Sequence, residues 1–288
     1  MSLASIYDSE RFGLSFELFP PKTAKGQSLV IGRLELLMAC RPDFVTCTYG
    51  AGGSTREKAL DIISRIKSHF QVPVAAHLTC VGASIDQLRE QLEKMARIGV
   101  DYIGALRGDP PRGETEFRTP ENGLAHANEL VALIRDEFPQ FDIFVGGYPE
   151  THQEAPSPEA DLENLKRKVD AGADAVITQL FYRNEEFLRF RERYEAAGIP
   201  VPLIPGILPV SSLRQAQKVP SLCGASLPEE FVDRLSQYDD PDWQYQVGVE
   251  FAANQVRDLV RHGVPGMHFY VLNKSPATLA VIKAAEQI

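Results

Sequence analysis

Several polar and ionisable side chains of this sequence stand where short apolar segments end. They are Glu17, Thr48, His77, Thr79, Arg107, Asp109, Tyr148 and Gln179. Residues of these types are rarely buried in a core unless they have partners. A single one would most simply be a satisfied core residue, but their repetition at equivalent positions indicates a shared functional site.

Glu17 is the most informative residue of this set. It lies between Phe16 and Leu18 in an apolar segment. Removal from water disfavours the charged form of a carboxyl group, so we expect the pKa of Glu17 to be raised. A carboxyl group that is partly protonated near neutral pH can serve as a general acid. The alternative is a glutamate that is paired with a nearby cation.

The tripeptide Arg107-Gly108-Asp109 combines a cation, a residue that permits close approach and an anion. A loop of this kind can contact the polar ring of a cofactor with its main chain and side chains together. A plain turn with a local ion pair explains the tripeptide equally well.

A second group of residues has the spacing of one helical face near the start of a helix. Its members are Asp161, Asn164, Arg167 and Lys168. Residues at this spacing project to the same side of a helix. Such a face could bind a pyrophosphate, although the pattern by itself is more typical of a solvated surface.

The chain alternates β-rich and helical patterns, and these elements must bring the polar residues together. Eight apolar segments occur at 14–19, 44–48, 74–79, 102–106, 143–148, 175–180, 201–207 and 267–272. Helical spacing between them is typical of parallel βαβ units. At ~30 residues per unit, the pattern predicts an α/β fold with a single (β/α)8 TIM-type barrel domain over residues 1–288. The carboxyl ends of barrel strands share one face, where these side chains would meet.

The region before the last strand contains two further helical patterns, at 228–236 and 243–262. We expect them to form extra helices of the seventh unit. The competing architecture is an open, doubly wound sheet. Its usual fingerprint, GxGxxG after the first strand, does not occur in this sequence.

The composition excludes several classes of function. The formal net charge of -9 argues against nucleic-acid binding, which needs a basic surface. No apolar run approaches the ~20 residues that span a bilayer, and the amino terminus lacks the pattern of a secretory signal, so we expect a cytoplasmic protein. The cysteines Cys40, Cys47, Cys80 and Cys223 form no metal-type cluster with histidine. We expect reduced thiols and no metal site.

Eight segments, in order along nearly the whole chain, resemble the methylenetetrahydrofolate reductases of the bacterial, FAD-dependent type. They are 16–22 (FELFPPK), 48–56 (TYGAGGSTR), 77–80 (HLTC), 105–111 (ALRGDPP), 148–152 (YPETH), 161–179, 205–209 (PGILP) and 268–273 (HFYVLN). Each segment is a weak signal by itself, whereas the ordered set is specific.

The resemblance implies a barrel that carries FAD and a reaction of the ping-pong type. NADH or NADPH would deliver hydride to the flavin and leave, and 5,10-methylenetetrahydrofolate would then accept it and become 5-methyltetrahydrofolate, feeding methyl groups to methionine synthesis. Bacterial relatives favour NADH, and relatives are homo-oligomers. Because the chain ends soon after its eighth unit, no regulatory domain and no control by S-adenosylmethionine are expected.

The resemblance also implies roles for individual residues. Glu17 would be the acid that helps to open the folate ring, Asp109 would tune charge near the flavin and the pterin, and Gln179 would bond the pterin or the nicotinamide. The residues implied to hold FAD are Thr48, His77, Arg107, Gly108, Asp109, Tyr148, His152, Asp161, Asn164, Arg167 and Lys168. Those implied to line the folate channel are Gln215, Tyr270 and Leu272, with Lys274 at the folate's glutamate carboxylate.

Two residues depart from the pattern of the bacterial relatives. Lys274 stands where those relatives commonly carry arginine, so a planar, bidentate grip on the folate carboxylate is not expected. Val219 stands where relatives often carry an aromatic residue, so the stacking contact with a bound ligand is expected to be absent. Neither change touches the implied chemistry.

Two other enzyme classes remain open, and a binding protein without catalysis is the least favoured reading. The first is a flavin-free barrel that binds a pterin and transfers a methyl group. The second is a flavin-dependent barrel that oxidises proline. A yellow protein that is bleached by NADH but not by proline would exclude both.

Overall fold

The computed structural model describes residues 2–8, 12–20, 24–49, 55–110, 113, 117–271 and 275–286. The helices in these ranges are α1 (Leu3–Tyr7), α2 (Ala24–Met38), α3 (Arg56–Phe70), α4 (Ile85–Arg97), α5 (Ala127–Glu137), α6 (Pro158–Asp170), α7 (Asn184–Ala196), α8 (Leu213–Ala216), α9 (Val219–Cys223), α10 (Glu229–Ser236), α11 (Pro241–Arg261) and α12 (Ser275–Glu286). The strands are β1 (Gly13–Leu18), β2 (Phe44–Cys47), β3 (Val74–Thr79), β4 (Tyr102–Leu106), β5 (Asp142–Gly147), β6 (Ala175–Thr178), β7 (Leu203–Ile204), β8 (Gly206–Ile207) and β9 (Gly266–Tyr270). No helix in these ranges is long and apolar enough to cross a bilayer.

The strands form one parallel sheet in the order β7-β6-β5-β4-β3-β2-β1-β9-β8. Strand β1 lies at the seam of the barrel, because it pairs with β2 on one side and with β9 on the other. This register sets Glu17 opposite Thr46 on one neighbour and opposite Tyr270 on the other. The first and last strands of the chain therefore bring residues that are more than 250 positions apart in sequence to the same place in the barrel.

The seventh predicted strand, 201–207, is divided into β7 and β8 at Pro205. Proline has no N–H to donate to a strand ladder, so it interrupts the regular pairing. The carbonyl oxygen of Pro205 still accepts a bond of 3.0 Å from the N–H of His268. Since β7 pairs with β6 and β8 pairs with β9, the ring of strands closes through this segment. The prediction of an eight-unit barrel is confirmed, with the seventh strand in two parts.

The short helix α1 closes the amino end of the barrel, which the sequence patterns did not predict. Its side chains Leu3, Ile6 and Tyr7 are buried in one cluster with Phe44 of the barrel interior. A Cβ atom on Gly13 would lie 2.5 Å from Cε1 of Tyr7, so this close approach requires glycine. Burial of large apolar side chains stabilises by ~1.5–3 kcal/mol each. Because the amino end is filled in this way, an open cavity has room only at the carboxyl ends of the strands.

Helix α6 begins at the carboxyl end of the barrel, directly after the loop that follows β5. Oγ of Ser157 accepts a bond of 3.2 Å from the N–H of Ala160, and Pro158 occupies the first helical position. Serine at the cap and proline at this position both favour a helix start, because the first N–H groups of a helix lack partners within it. The cap thereby sets the position of the helical face that begins at Asp161.

The extra helices predicted at 228–236 and 243–262 are confirmed as α10 and α11, whereas α8 and α9 were not predicted. Helix α11 packs very closely on the chain that leaves β8. A Cβ atom on Gly248 would lie 1.7 Å from the carbonyl oxygen of Val210. Glycine at this helical position therefore lets α11 hold the segment that leads to α8 and α9.

Candidate active site

A cavity of about 810 Å³ opens at the carboxyl ends of the strands. Most of the site residues predicted from the sequence line this one cavity, which confirms that the barrel brings them together. They are Glu17, Thr48, His77, Thr79, Arg107, Gly108, Asp109, Tyr148, His152, Asp161, Asn164, Arg167, Lys168, Gln179 and Tyr270. Val219 of helix α9 also lines the cavity.

One of the predicted folate-channel residues lies elsewhere, and two others cannot be placed from the described part of the chain. Gln215 does not line it, because its Oε1 atom is turned back to accept bonds of 3.1 Å from the N–H and Oγ of Ser211. Leu272 and Lys274 lie outside the residues that the structure describes. The placement of Tyr270 in the cavity, in contrast, agrees with the prediction.

Glu17 lies at the inner end of the cavity between two imidazole rings. Its Oε2 atom is 3.3 Å from Nε2 of His77 and 3.5 Å from Nε2 of His268. Nε2 of His77 has no hydrogen-bond partner among the described residues, so the contact is a close approach that becomes an ion pair when the imidazole is protonated. The side chains of Glu17 and His77 are only 12% and 8% exposed.

The two histidines reverse the expected pKa shift of Glu17. Burial alone would raise the pKa of this carboxyl group, but the charges and N–H groups of His77 and His268 outweigh burial and lower the pKa to about 2. The prediction of a raised pKa is therefore wrong. The partners of Glu17 are two histidines, which match the alternative of a glutamate paired with a cation when they are protonated. Glu17 is a carboxylate at neutral pH in the protein without ligands.

His268 is a site residue that the sequence reasoning did not single out. It is 1% exposed, and its Nδ1 atom lies 2.8 Å from Oγ of Ser15. Oγ of Ser15 can donate to Nδ1 of the neutral ring or accept from the Nδ1–H of the protonated ring, and in both states a proton on Nε2 faces Glu17. Ser15 precedes Glu17 by two residues and His268 precedes Tyr270 by two. Since strand side chains alternate between faces, this spacing was the signal that could have identified both residues.

The opposite wall of the cavity carries the helical face of α6 and the loop after β5. Nζ of Lys168 donates a bond of 2.6 Å to the carbonyl oxygen of Gly146 and lies 5.9 Å from the ring centre of Tyr148. Burial lowers the pKa of Lys168 to about 8, against the attraction of Asp161. A bound anion would restore the favourable environment of this ammonium group. The predicted alternative of a fully solvated helical face is therefore wrong for Lys168.

Asp161 and His152 fix the loop after β5 on helix α6. Oδ2 of Asp161 accepts a bond of 3.0 Å from the main-chain N–H of His152, and burial raises the pKa of this carboxyl group. The imidazole of His152 packs edge-on against the ring of Tyr148, with the ring centres 4.6 Å apart. Asn164 and Arg167 are exposed on the same helix, and the guanidinium of Arg167 pairs with Glu163.

Arg107 is paired across the cavity mouth and not within its own turn. Its Nη1 and Nη2 atoms lie 2.5 and 2.7 Å from the two carboxylate oxygens of Glu154. This contact raises the pKa of Arg107 and lowers that of Glu154. The interpretation of 107–109 as a turn with a local ion pair is corrected accordingly. Glu154 itself was missed, because nothing in the sequence around residue 154 shows that Arg107 lies opposite.

Further residues line the cavity without having been predicted. They are Tyr49, Val81, Ala105, Leu106, His126, Ala127, Asn128, Phe144, Val145, Gly146, Glu154, Ala155, Pro156, Ile177, Leu180, Leu208, Cys223 and His268. His126, Ala127 and Asn128 stand at the start of α5, where the first N–H groups of a helix are available to an anion. The cavity thus has a buried carboxylate with imidazoles at one end and a cation with helix starts at the other.

These residues fit a large ligand that carries phosphate groups. The volume lies within the ~300–1,000 Å³ that is usual for cofactor and ligand sites. Within the described ranges, the half-buried ammonium of Lys168 donates to one carbonyl, so it has capacity for an anionic group. Near the carboxylate end, Glu17 and Tyr270 offer charge and a polar ring to a second, smaller molecule.

Comparison with known proteins places the chain in one family. The family described as Methylenetetrahydrofolate reductase matches residues 2–286. The 5,10-methylenetetrahydrofolate reductases of Pectobacterium carotovorum subsp. carotovorum and of Escherichia coli (strain K12) are each 41% identical to this chain. The matches span 94% of this chain and 89% and 90% of those proteins. Methylenetetrahydrofolate reductase (NADH) 1 of Arabidopsis thaliana is 35% identical over 97% of this chain, which spans 49% of that protein.

Solved structures support the architecture. A protein from Clostridium thermocellum, described as binding two copies of 5-methyl-5,6,7,8-tetrahydrofolic acid, superposes with a TM-score of 0.66 at 16% identity, over 98% of this chain and 99% of that chain. Dihydropteroate synthase from Xanthomonas albilineans superposes with a TM-score of 0.51 at 12% identity, over 97% of this chain and 94% of that chain. At such low identities the likeness concerns the fold alone. With the barrel, the shared cavity and the sequence match over residues 2–286 in agreement, the chain belongs to the methylenetetrahydrofolate reductase family of oxidoreductases.

Proposed function

We propose that this protein reduces 5,10-methylenetetrahydrofolate to 5-methyltetrahydrofolate with electrons from NADH, in a ping-pong reaction through bound FAD. Family membership supports the folate reaction. The single observation that carries the assignment to this site is the position of Glu17. Its carboxylate lies between two histidines at the inner end of the one cavity that holds the other predicted residues. We further propose that residues 1–288 act as one catalytic domain.

The outer part of the cavity would hold the cofactor. Lys168 suits the pyrophosphate, since its ammonium group favours anions. His152 and Tyr148 form an adjoining wall, and Gly108 lets the main chain of the β4 loop approach closely. When bound there, FAD supplies hydride transfer between the nicotinamide and the folate.

Glu17 and its histidines would deliver the proton that opens the folate ring. In the free site the carboxyl group of Glu17 is ionised, because its pKa is lowered to about 2. A folate that fills the cavity removes water and makes a charged pair more costly than a neutral one. Once His268 has taken up a proton from water and is an imidazolium, it can pass the proton on Nε2 to Oε2 of Glu17 and become a neutral ring. Glu17 then passes that proton to the ring nitrogen that leaves the one-carbon unit. Ser15 steadies His268 from the other side of its ring.

The remaining residues would orient the two substrates. Gln179 and Tyr270 line the cavity near Glu17, and the hydroxyl of Tyr270 is fixed by a bond of 2.8 Å to the carbonyl oxygen of Thr178. Asp109 is exposed at the mouth, where its charge can act on the flavin and the pterin. We propose that Gln215, Leu272 and Lys274 contact the folate, on the ground of the family resemblance alone.

The first test is the colour and redox chemistry of the purified protein. We expect a yellow protein with flavin absorbance that NADH bleaches under anaerobic conditions and that methylenetetrahydrofolate restores. A colourless protein that cannot be reconstituted with FAD would contradict the proposal and favour a flavin-free methyl transferase. Bleaching by proline would favour the proline-oxidising class.

A further inference from the structure

Glu154 belongs to the loop between β5 and α6, and none of the roles described above uses its carboxylate. The loop carries Tyr148 and His152, two residues proposed to hold FAD. The carboxylate of Glu154 reaches the neighbouring loop after β4. There it meets the guanidinium of Arg107 in two parallel contacts of 2.5 and 2.7 Å. Paired contacts of this kind between arginine and a carboxylate are strong and directional.

The guanidinium of Arg107 contacts two side chains, Phe117 and Glu154, and so links them. One face lies 5.0 Å from the ring centre of Phe117, and both Nη atoms are used by Glu154. The side chain is 24% exposed, compared with 49% for Glu154. A fork that is already occupied by a carboxylate is not free to take a phosphate in the same bidentate way. Arg107 therefore contributes by fixing the course of the β4 loop at Gly108.

The main chain of Glu154 continues the connection toward α6. Its N–H donates a bond of 3.1 Å to Nδ1 of His152, which fixes the plane of that imidazole. The N–H of His152 in turn donates to Oδ2 of Asp161 at 3.0 Å. A continuous series of contacts thus runs from Arg107 through Glu154 and His152 to Asp161. It joins two neighbouring loops that line the cavity.

We propose that Glu154 is a positioning residue for the flavin cofactor, which acts by holding Arg107 and thereby joins the β4 and β5 loops around the cofactor. The inference rests on the proposed function, because it assumes that FAD occupies this cavity. Glu154 is not a catalytic residue in this account, since no reacting atom is assigned to it. Substitution of Glu154 lowers the affinity of the protein for FAD and does not affect proton transfer at Glu17.

The test is a titration of the apoprotein with FAD, followed by flavin fluorescence, for Glu154→Gln, Glu154→Ala and Glu154→Asp. A partly exposed, bidentate pair of this kind predicts a rise in the FAD Kd of about five- to tenfold for Gln and Ala, with partial rescue by Asp. Added salt reduces the difference in FAD Kd between the variants and the wild type, because it screens the ion pair between Arg107 and Glu154. Glu150→Gln is the matched control. Its carboxylate lies in the same loop but accepts bonds from the N–H and Oγ of Ser226, so its FAD Kd stays within about twofold of the wild type.

A double-mutant cycle with Arg107→Met separates positioning through Arg107 from a general loss of structure. If Glu154 acts through Arg107, Glu154→Gln adds nothing to the FAD Kd of Arg107→Met. The melting temperature of each apoprotein reports any global damage. Two results would overturn this inference alone. The first is that Glu154→Gln weakens FAD binding equally in the wild-type and the Arg107→Met backgrounds. The second is that the wild type binds FAD and the Glu154 variants have the same FAD Kd. A wild type that binds no FAD at all would overturn the proposed function with it.

Discussion

Oε2 of Glu17 lies 3.5 Å from Nε2 of His268, across the seam where the first strand of the barrel pairs with the last. The closure of the barrel therefore also brings Glu17 and His268 together. His77 lies on the other side of the carboxylate, and the two imidazole rings lower the pKa of Glu17 against the effect of its burial.

Glu17→Gln removes the proton carrier and keeps the shape of the side chain. We expect the variant to bind FAD and to be reduced by NADH at the wild-type rate, since neither step needs this proton. Reoxidation by methylenetetrahydrofolate should slow by about 10²–10⁴-fold, the usual contribution of a positioned acid. Stopped-flow absorbance of the flavin measures both half-reactions. Folate turnover at the wild-type rate would eliminate the acid role.

The lowered pKa of Glu17 also makes a prediction about stability and pH. A carboxyl group whose pKa falls from 4.5 in the unfolded chain to about 2 in the folded protein stabilises the fold above pH 4.5. That contribution is lost as the pH falls from about 4.5 toward 2. We expect the melting temperature of the wild type to fall more steeply than that of Glu17→Gln between pH 5 and pH 3. Parallel curves for the two proteins would show that the histidines do not hold Glu17 as a carboxylate.

Lys168 should make the binding of FAD dependent on pH. Its pKa is lowered to about 8 in the free protein, and a bound pyrophosphate would favour the charged form. Binding then takes up a proton above pH 8, so the affinity for FAD falls as the pH rises past this value. Titrations of the apoprotein between pH 7 and pH 10 measure the effect. Lys168→Met should bind FAD weakly with little pH dependence.

Lys166→Met is the control for this experiment. Lys166 lies on the same helix, but its Nζ atom pairs with Oδ1 of Asp170 at 3.1 Å, outside the cavity. The control should keep the wild-type affinity and its decline above pH 8. If Lys168→Met showed the same decline as the wild type, another group would be responsible.

We expect the substitution of Gly248 by alanine to lower the stability of the protein, whereas the same substitution at most helical positions raises it. Replacing a helical glycine with alanine normally stabilises by up to ~1 kcal/mol. At Gly248 the new Cβ atom would lie 1.7 Å from the carbonyl oxygen of Val210, so Gly248→Ala should destabilise by ~1–3 kcal/mol. Gly32 of α2 has nothing within 4 Å of its Cβ position, and Gly32→Ala should follow the normal rule. Urea denaturation measures the free energy of unfolding of both variants. If the two substitutions changed it in the same direction, the close packing of α11 would be contradicted.

The barrel and the position of its site were predictable from the sequence because both follow from local patterns. Strand-forming segments followed by polar residues repeat along the chain, and parallel strands carry their carboxyl ends to one face. Division of the seventh strand at Pro205 changed the number of strands but not the number of units. Helix α1 was not predicted, since five residues give too short a pattern to distinguish from a loop.

The charge state of Glu17 and the partner of Arg107 were not predictable, because both depend on contacts between distant parts of the chain. His77 and His268 come from the third unit and the last, and nothing near Glu17 in sequence points to them. The local sequence indicates that the carboxyl group of Glu17 is buried. It does not indicate the two histidines that oppose the effect of burial on its pKa. Glu154 was missed for the same reason, since its partner lies 47 residues away.

The most direct test of the account is a two-step anaerobic stopped-flow experiment on the purified wild-type protein. NADH is added first, and the reduced protein is then mixed with methylenetetrahydrofolate while the flavin absorbance is followed. We predict that NADH bleaches the flavin and that the folate restores its colour, with one 5-methyltetrahydrofolate formed per flavin. A flavin that stays reduced after mixing with the folate would contradict the account.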